Sequence, residues 1–542
     1  MNGPFRGNAV FPSRKRMAMA FILLIALALR LWPINFGLPA LNDPDELMFE
    51  LGAVQMLRTH SLDPGWFGHP AATTMYLLAL VDIAVFLVGH ALGWFATPAA
   101  FVSRLYMNPG WVILPGRIVM VLFGVWTVAL TGRLAGRIAG DEAKWAAALL
   151  LALSPVHIAW SQVVRSDIVG CAFLVLTVLS ALDVMDGKPR EFRAALWCAL
   201  AIASKWPFAI GGLAVIAALG WRWKTCRMPL TKAIRNSLIF VTLVPALLVI
   251  IAPYLLIDHA TVLRDIGGEA QMRHLGATGG GPLSNAWWYV SGPLATAFGP
   301  IGLMLCVVGA WTLRRNTKAR VLLWPLIIVF FTVIICQYLV WERWILPLLP
   351  LLAVFGGVSI VGACRIAALR IGAVPATGLV LFGVCLPLLL TDAGAARARA
   401  NNTAQQASAW AINHIPPGST ILVEHFGFDL LARPWHLLFP FGEIGCVDPR
   451  RALDGKIDHH TIAGGRGARA NIDYGTVGAN RRFTCAADYA ILTQFDRYSA
   501  EQKNFPKEYV AYRQLIKRGH IVANFYPKEG ISSGRTVHII KF

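Results

Sequence analysis

Residues 192–221 read "FRAALWCALAIASKWPFAIGGLAVIAALGW", an apolar stretch interrupted once, by "SKWP" at 204–207. A single bilayer crossing needs about 20 residues, so this stretch is too long for one pass and too short for two full ones. Basic residues mark both ends, Arg190 and Arg193 at the start, Arg222 and Lys224 after the finish. The positive-inside rule then puts both ends in the cytoplasm. The segment enters and returns as two half-helices, with Lys205 near the far side. Pro207 supports the break, because a proline inside a helix removes one hydrogen bond and clashes with the preceding turn. Lys205 is also the first candidate functional residue: a charge amid apolar neighbours is costly unless it meets an anion or water.

This hairpin sets the parity of the whole chain. Further apolar runs lie near 17–33, 116–138, 144–161, 168–186, 234–256, 287–312, 321–340, 345–364 and 373–391. Counting forward, "RRNTKAR" (314–320), Arg365 and Arg370 fall inside, "WERW" (341–344) falls outside, and everything after 391 is outside. Counting backward, "DGKPRE" (186–191) and "GRLAGR" (132–137) are inside, while "SQVVRSD" (161–167) and "NDPDE" (42–46) are outside. The run 71–95 either lies along the outer surface or dips in, with 96–115 bringing the chain back. The expectation is an all-α polytopic membrane protein of about eleven to thirteen membrane segments. The first sixteen residues carry Arg6, Arg14, Lys15 and Arg16, and no small-residue cleavage site follows the first run, so it reads as an uncleaved span entered from the cytoplasm.

Composition agrees: 56% of residues are hydrophobic and 14% charged, outside the soluble range. The net charge of +20 sits largely in short inner loops and implies no nucleic-acid partner. Seven of the nine cysteines lie in the apolar part without metal-ligand spacing. Residues 392–542 differ, with short apolar runs and frequent Gly, Arg, Asp and Asn. "TAQQASAWAINHIPPGSTILVE" (403–424) reads as helix, Pro-Pro-Gly turn and strand, and "DYAILTQF" (488–495) and "TVHIIKF" (536–542) as strands. The chain thus divides into a transmembrane part, 1–391, and an extramembrane α/β domain, 392–542. Cys446 and Cys485 in that domain can pair if it faces an oxidising compartment.

Parity collects polar residues at one membrane boundary: Asp43, Asp45, Glu46, His69, Asp167, Lys205, Arg273 and Glu342 with Arg343. Asp43, Glu50 and Asp63 read as solvated loop carboxylates, and arginines at membrane ends ordinarily snorkel to headgroups. The set suits group transfer from a lipid phosphate, with a carboxylate as base for an acceptor hydroxyl and cations holding the departing phosphate. Two carboxylates, Asp45 and Asp167, are alternatively a site for a divalent metal such as Mg or Mn. No Walker motif or GxGxxG follows a strand, so a lipid donor fits better than a nucleotide.

"RLWPINFGLP" (30–39), "DPDE" (43–46), "HPAATTMYLL" (69–78), "SQVVRSD" (161–167), "ASKWPF" (203–208) and "ERWILPLLPLLAVF" (342–355), in this order and spacing, resemble the multispanning C-type glycosyltransferases. Among them the chain is similar to the protein O-mannosyltransferase and aminoarabinose transferase group, over residues 17–391. The resemblance implies transfer of a sugar from a polyprenyl-phosphate donor to an acceptor hydroxyl on a lipid, glycan or protein, with inversion at the anomeric carbon. It implies an inner- or plasma-membrane protein with an extracytoplasmic active face. The acidic pair of the first outer loop falls on Asp45 and Glu46, with Asp45 as general base, and the acidic position of the second on Asp167. Lys205 and Arg343 match basic positions near the lipid phosphate; His69 and Arg273 are further donor-side candidates. "HPAATT" stands where a double proline is commoner. The alternatives are a secondary transporter, which calls for midplane charges and repeat symmetry, and a non-catalytic scaffold of envelope glycan assembly.

Overall fold

The computed structural model describes residues 14–425, 427–453 and 472–542; Arg6 and the other residues before Arg14 lie outside the described residues. Helices α1 (Arg14–Leu31), α2 (Pro44–Thr59), α3 (Ala72–Ala91), α4 (Pro98–Met107) and α5 (Gly110–Ala139) open the chain. Next come α6 (Asp141–Ala152), α7 (Pro155–Ser161), α8 (Ser166–Met185), α9 (Glu191–Ser204), α10 (Gly211–Lys224) and α11 (Leu230–Ile251). Then follow α12 (Tyr254–Ile257), α13 (His259–Glu269), α14 (Pro282–Tyr289), α15 (Ala295–Thr312), α16 (Trp324–Ile335), α17 (Leu349–Ile371) and α18 (Ala373–Ala400). Among the described residues seven helices are long and apolar enough to cross a bilayer, or eight if the bent pair α6–α7 is one span. Met17–Leu31 and Ala319–Ile335 are shorter apolar helices. With the half-helices α9 and α10, the set falls in the expected range, and the chain is a multi-pass membrane protein.

The axis of the bundle is α8, which is apolar on all sides and 94% buried across its apolar window, as such a helix must be. Its two ends are about 28 Å apart at 1.5 Å per residue, and each carries a layer of charge. At the inner end Arg137 donates to Asp183 (3.0 Å) and Asp186 (2.8 Å), and Lys318 lies 3.7 Å from Asp186. These pairs join the basic loops that parity places inside. At the other end Asp167, in the first turn of α8, accepts from Lys205 Nζ at 2.7 Å.

The α9–α10 hairpin is therefore observed as the sequence implies. Helix α9 rises along α8 to Lys205, and a 3₁₀ turn, Trp206–Ile210, reverses the chain. Gly170 of α8 is what admits that turn, since a Cβ there would collide with the ring of Phe208. Helix α10 descends with Gly211 against Leu174 and Arg222 beside Gly187, back at the inner layer.

Helix α3 begins and ends at the Lys205 end of the bundle. The N–H of Ala71 donates to the carbonyl of Ser204 (3.2 Å), next to Lys205. The far end joins an aromatic cluster in which Phe95 meets Phe101 (4.9 Å) and Trp111 (5.6 Å). Tyr106 of α4 lies beside Arg450, far along the chain. Both ends of the run 71–95 thus lie at the Lys205 end of the bundle, and exposed Leu80, Leu87 and Val88 line the apolar side of that helix.

Helix α18 runs unbroken past residue 391 to Ala400 and leads into α19 (Thr403–His414). Beyond it lie β1 (Thr420–Val423), β2 (His436–Pro440), β3 (Cys446–Val447), β4 (Tyr489–Leu492), β5 (His520–Phe525) and β6 (Val537–Lys541). They form one sheet in the order β3-β2-β1-β4-β6-β5, with β1 parallel to both β2 and β4 and the remaining pairs antiparallel. Alternate residues feed two cores, Ile421, Val423, Ile491 and Ile539 on one face, Leu422, Ala490, Leu492 and Ile540 on the other, as the period of a strand requires. Cys446 and Cys485 are disulfide-bonded. This mixed sheet docks on the bundle: Gln405 Nε2 donates to Asn42 Oδ1 (3.0 Å), Arg497 to Leu275 O (2.5 Å), and Glu501 accepts from Gly276 N (2.7 Å).

Helix α2 is fixed to the bundle by a sealed ion pair. Arg117 of α5 donates Nε and Nη2 to Glu46 Oε1 (2.8 Å) and Oε2 (2.7 Å), and both side chains are 0% exposed. Arg117 Nη1 also holds the carbonyls of Ile34 (2.8 Å) and Phe36 (2.9 Å), and Glu46 accepts from Val164 N (2.9 Å). Removing one partner of such a pair strands a buried charge at a cost of about 3–5 kcal/mol, whereas replacing both with apolar groups of similar volume is far cheaper. Arg117→Met is accordingly expected to lower the thermal unfolding midpoint in detergent sharply, and the double variant Arg117→Met/Glu46→Leu to recover most of the loss. Equal melting of the single and double variants would show that the pair does not carry this load.

A candidate active site at one end of the helical bundle

The first turn of α2 is set by its cap. Asp43 takes extended backbone angles and its Oδ1 accepts from Asp45 N (3.0 Å), with Pro44 at the first helical position. Asp before Pro is a strong helix start, since the carboxylate satisfies a free N–H and complements the helix dipole. The cap aligns Asp43 and Asp45 toward Arg165, the residue before α8. Arg165 donates Nη2 to Asp43 Oδ1 (2.8 Å) and Nη1 lies 2.5 Å from Asp45 Oδ2. Its guanidinium also stands over Trp160, 5.0 Å from the ring centroid. Arg343 Nη2 is 3.9 Å from the same Asp45 oxygen. Burial raises the cost of charge on Asp45, but Arg165 and then Arg343 outweigh it and hold the carboxyl well below its ordinary pKa.

The second group lies alongside. Lys205 and Asp167 form a buried pair in which Asp167 Oδ2 has no hydrogen-bond partner among the described residues. His69 sits between Phe49 (6.3 Å, stacked) and Trp66 (5.4 Å, edge-on), and its Nδ1 is buried without a partner. Burial, with Lys205 and Arg343 nearby, pushes the imidazole well below its ordinary pKa, against the pull of Asp167 and Asp45. It is uncharged at neutral pH. The loop that carries it is fastened from α13, where Asp265 Oδ2 accepts from Phe67 N (2.9 Å). Asp45, Asp167, Lys205, Arg343 and His69 thus come together at one end of the bundle.

Two of the expected residues do not join them. Glu46 faces away into the sealed pair with Arg117, because it lies one residue further round α2 than Asp45. Arg273 is exposed, and among the described residues no hydrogen bond or ion pair ties it to the cluster; the Leu275–Gly276 turn beside it is pinned to Arg497 and Glu501 instead. Two carboxylates expected to be solvated are not. Asp43 is the cap and a partner of Arg165, and Glu50 is 4% exposed, next to buried Asp82 of α3. Arg165 and Arg117 were not singled out by the sequence reading; the Asp-Pro cap at 43–44 was the available signal for the first.

The site does not fit a divalent ion between Asp45 and Asp167. Each carboxylate already has a cationic partner within 2.7 Å, and Arg343 adds further positive charge. Among the described residues no group of three or more His, Cys, Asp or Glu stands in a metal-holding arrangement. On the other side of Asp43 a cavity of about 220 Å³ is lined by Phe36, Asn42, Trp160, Glu342 and Arg399. Trp160 Nε1 donates to Glu342 there (3.2 Å), and Arg399 Nε and Nη2 have no partner.

The family model of dolichyl-phosphate-mannose-protein mannosyltransferases matches residues 90–257. No curated protein sequence matches the chain. ArnT from Cupriavidus metallidurans in the apo state has a similar fold, with a TM-score of 0.58 at 13% identity, over 97% of this chain and 98% of that one. The same protein bound to undecaprenyl phosphate aligns with a TM-score of 0.56 at 13% identity, over 96% and 97%. The Archaeoglobus fulgidus oligosaccharyltransferase tethered to an acceptor peptide aligns with a TM-score of 0.52 at 11% identity, over 92% of this chain and 72% of that one. The chain therefore has an ArnT-like fold over nearly its whole length.

Arg165 serves two carboxylates at once, which a guanidinium fork can do and a single ammonium cannot. Arg165→Ala is expected to cost about 3 kcal/mol of stability, by leaving two part-buried carboxylates unmatched. Arg165→Lys is expected to recover less than half of that. Thermal unfolding in detergent measures both, and a wild-type midpoint for Arg165→Ala would contradict the bridging role.

Proposed function

We propose that the protein transfers a sugar from a polyprenyl-phosphate donor to an acceptor hydroxyl at the outer membrane face. The observation that carries this reading is the convergence of an ionised carboxylate, Asp45, with the cations Lys205 and Arg343 at one end of the bundle. The ArnT-like fold and the family match over 90–257 support it. ArnT has been seen with undecaprenyl phosphate, and the phosphate of such a donor calls for cations like the buried Lys205 and Arg343. In the proposed organisation the bilayer part reaches Ala400 and the sheet domain lies outside the cell membrane, in the periplasm or its equivalent. The Cys446–Cys485 bond agrees with an oxidising compartment.

The reaction is a direct displacement. The acceptor oxygen bonds to the anomeric carbon from the face opposite the phosphate, the bond from that carbon to the phosphate oxygen breaks, and the electron pair leaves with the polyprenyl phosphate. The acceptor proton passes to Asp45. Lys205 and Arg343 stabilise the charge that grows on the leaving phosphate, while neutral His69 supplies a hydrogen bond. Asp167 orients Lys205. Asp45 is a weak base, so it takes the proton late, when bond formation has made the acceptor oxygen acidic; a phosphate leaves readily enough for this to suffice.

Two measurements test the reading. Asp45→Asn is expected to lose at least about a hundredfold in transfer, the usual loss when a general base is removed, while still binding undecaprenyl phosphate. Lys205→Ala is expected to bind undecaprenyl phosphate about tenfold or more weakly, the lost charge-assisted hydrogen bond being worth about 1.5–3 kcal/mol. Full transfer by Asp45→Asn, read by mass spectrometry of envelope glycans in a complemented deletion strain, would remove the base assignment. For the proposed face, Cys446 and Cys485 are expected to resist maleimide labelling in intact cells until a reductant is added. Labelling without reduction would count against an oxidising outer compartment.

A further inference from the structure

At the carboxyl end of β1 two successive side chains part company. Glu424 turns into the sheet domain, where Oε1 accepts from Tyr474 N (2.9 Å) and from the Tyr512 hydroxyl, and Oε2 from Thr493 N (2.7 Å) and Gln494 N (3.1 Å). Every acceptor position of that carboxylate is used by its own domain. The next residue, His425, stands at φ +77°, a left-handed conformation that costs a non-glycine residue about 1–3 kcal/mol and persists only where its surroundings enforce it. The Glu424 latch is that enforcement.

The turn that follows is docked on the loop carrying Asp45. Gln405 Nε2 donates both to Gly427 O (3.4 Å) and to Asn42 Oδ1 (3.0 Å). A Cβ on Gly427 would lie 3.6 Å from Leu41 O, so the two segments are in contact. His425 is consequently within electrostatic reach of Asp45, with Arg535 and Arg497 as its other charged neighbours. Among the described residues none hydrogen-bonds the His425 ring or the Arg535 guanidinium, while Arg497 is spent on Leu275 and Gln494. Sheet topology adds an independent argument. Strand β1 has parallel partners on both sides, β2 reached directly and β4 only after β3, so the strand order reverses between β1 and β4. In open parallel sheets ligands bind outside the carboxyl ends of the strands at such a switch point. Here that edge faces Asp45.

We propose that His425 and Arg535 of the sheet domain form the acceptor side of the site, hydrogen-bonding the oxygens of a hydroxylated acceptor opposite Asp45. This rests on the glycosyl-transfer reading above and adds a second domain to its active site. Donor recognition stays with Lys205, Arg343 and His69; acceptor recognition is shared across the docking surface. A bundle without the sheet domain would bind donor and leave the acceptor unaligned.

The test uses the full chain, with undecaprenyl phosphate as the donor-side probe and envelope mass spectrometry of a complemented deletion strain as the product readout. His425→Gly keeps the left-handed backbone without strain, so its melting midpoint is expected at or above the wild-type value. Its affinity for undecaprenyl phosphate is expected within about twofold of wild type, while transferred sugar falls about tenfold, the equivalent of one hydrogen bond of about 1.4 kcal/mol. His425→Asn tolerates the same backbone and keeps a donor group, and is expected to recover part of the transfer; Arg535→Gln is expected to lower product without weakening undecaprenyl phosphate binding. Wild-type product from His425→Gly, or a product loss matched by lost undecaprenyl phosphate affinity, would overturn the assignment. A failed Asp45→Asn test removes the underlying reaction instead, so the two failures are distinguishable.

Discussion

One guanidinium bridging two carboxylates holds the outer end of the molecule together. Arg165 meets Asp43 and Asp45 within 2.5–2.8 Å, and so ties the start of α2 to the start of α8. The requirement behind it is general: a charge taken out of water at a membrane boundary persists only with a partner. Asp167 with Lys205, and Glu46 with Arg117, meet the same requirement and join α8 to the hairpin and α2 to α5. Each pair links segments distant in sequence, so the same contacts hold the fold and gather the site.

The two charge layers at the ends of α8 have different characters. The inner pairs, Arg137 with Asp183 and Asp186, are 15–34% exposed, close to the surface pairs that contribute little to stability. The outer pairs are at most 24% exposed. Their cost is justified if Lys205 and Arg343, balanced at rest by Asp167 and Asp45, also meet the donor phosphate under the proposed reaction.

Much of this architecture was legible in the sequence, and for identifiable reasons. Hydropathy and basic loops gave the hairpin at Lys205 and the grouping of 42–46, 161–167, 205 and 343 at one end of the bundle, because the bilayer leaves few choices. The helix 403–414 and the strands at 420, 489 and 537 followed from period and turn chemistry. Pair partners were not legible. Asp43 and Glu50 looked solvated because a carboxylate among several acids at the start of a helix carries no mark of burial; only the position of Arg165, or of Asp82 on α3, decides it. Helix α3 was ambiguous for a related reason: its length and apolarity equal those of a span, and what holds both its ends at the Lys205 end of the bundle is the Ala71–Ser204 tie and the aromatic cluster at its far end. Arg273 and Glu46 illustrate the limit of proximity in sequence, since a turn pinned elsewhere, or one step round a helix, removes a residue from a site.

The depressed pKa of Asp45 bears on how such a site works. A strong base would need its proton removed again, and would spend part of its life protonated beside Arg165 and Arg343, breaking the bridge that orders the loop. A weak base held ionised keeps the bridge intact between turnovers and receives the proton only when the acceptor oxygen has become acidic. Under the proposed reaction the same logic favours Lys205 and Arg343 over a charged histidine on the donor side: burial lowers the pKa of His69, so a phosphate there would meet fixed cations rather than one that titrates near neutral pH. Positioning of the acceptor then matters more than basicity under the proposed reaction, and that is the part assigned above to the sheet domain. That need gives the sheet domain a reason to be docked on the loop 41–46.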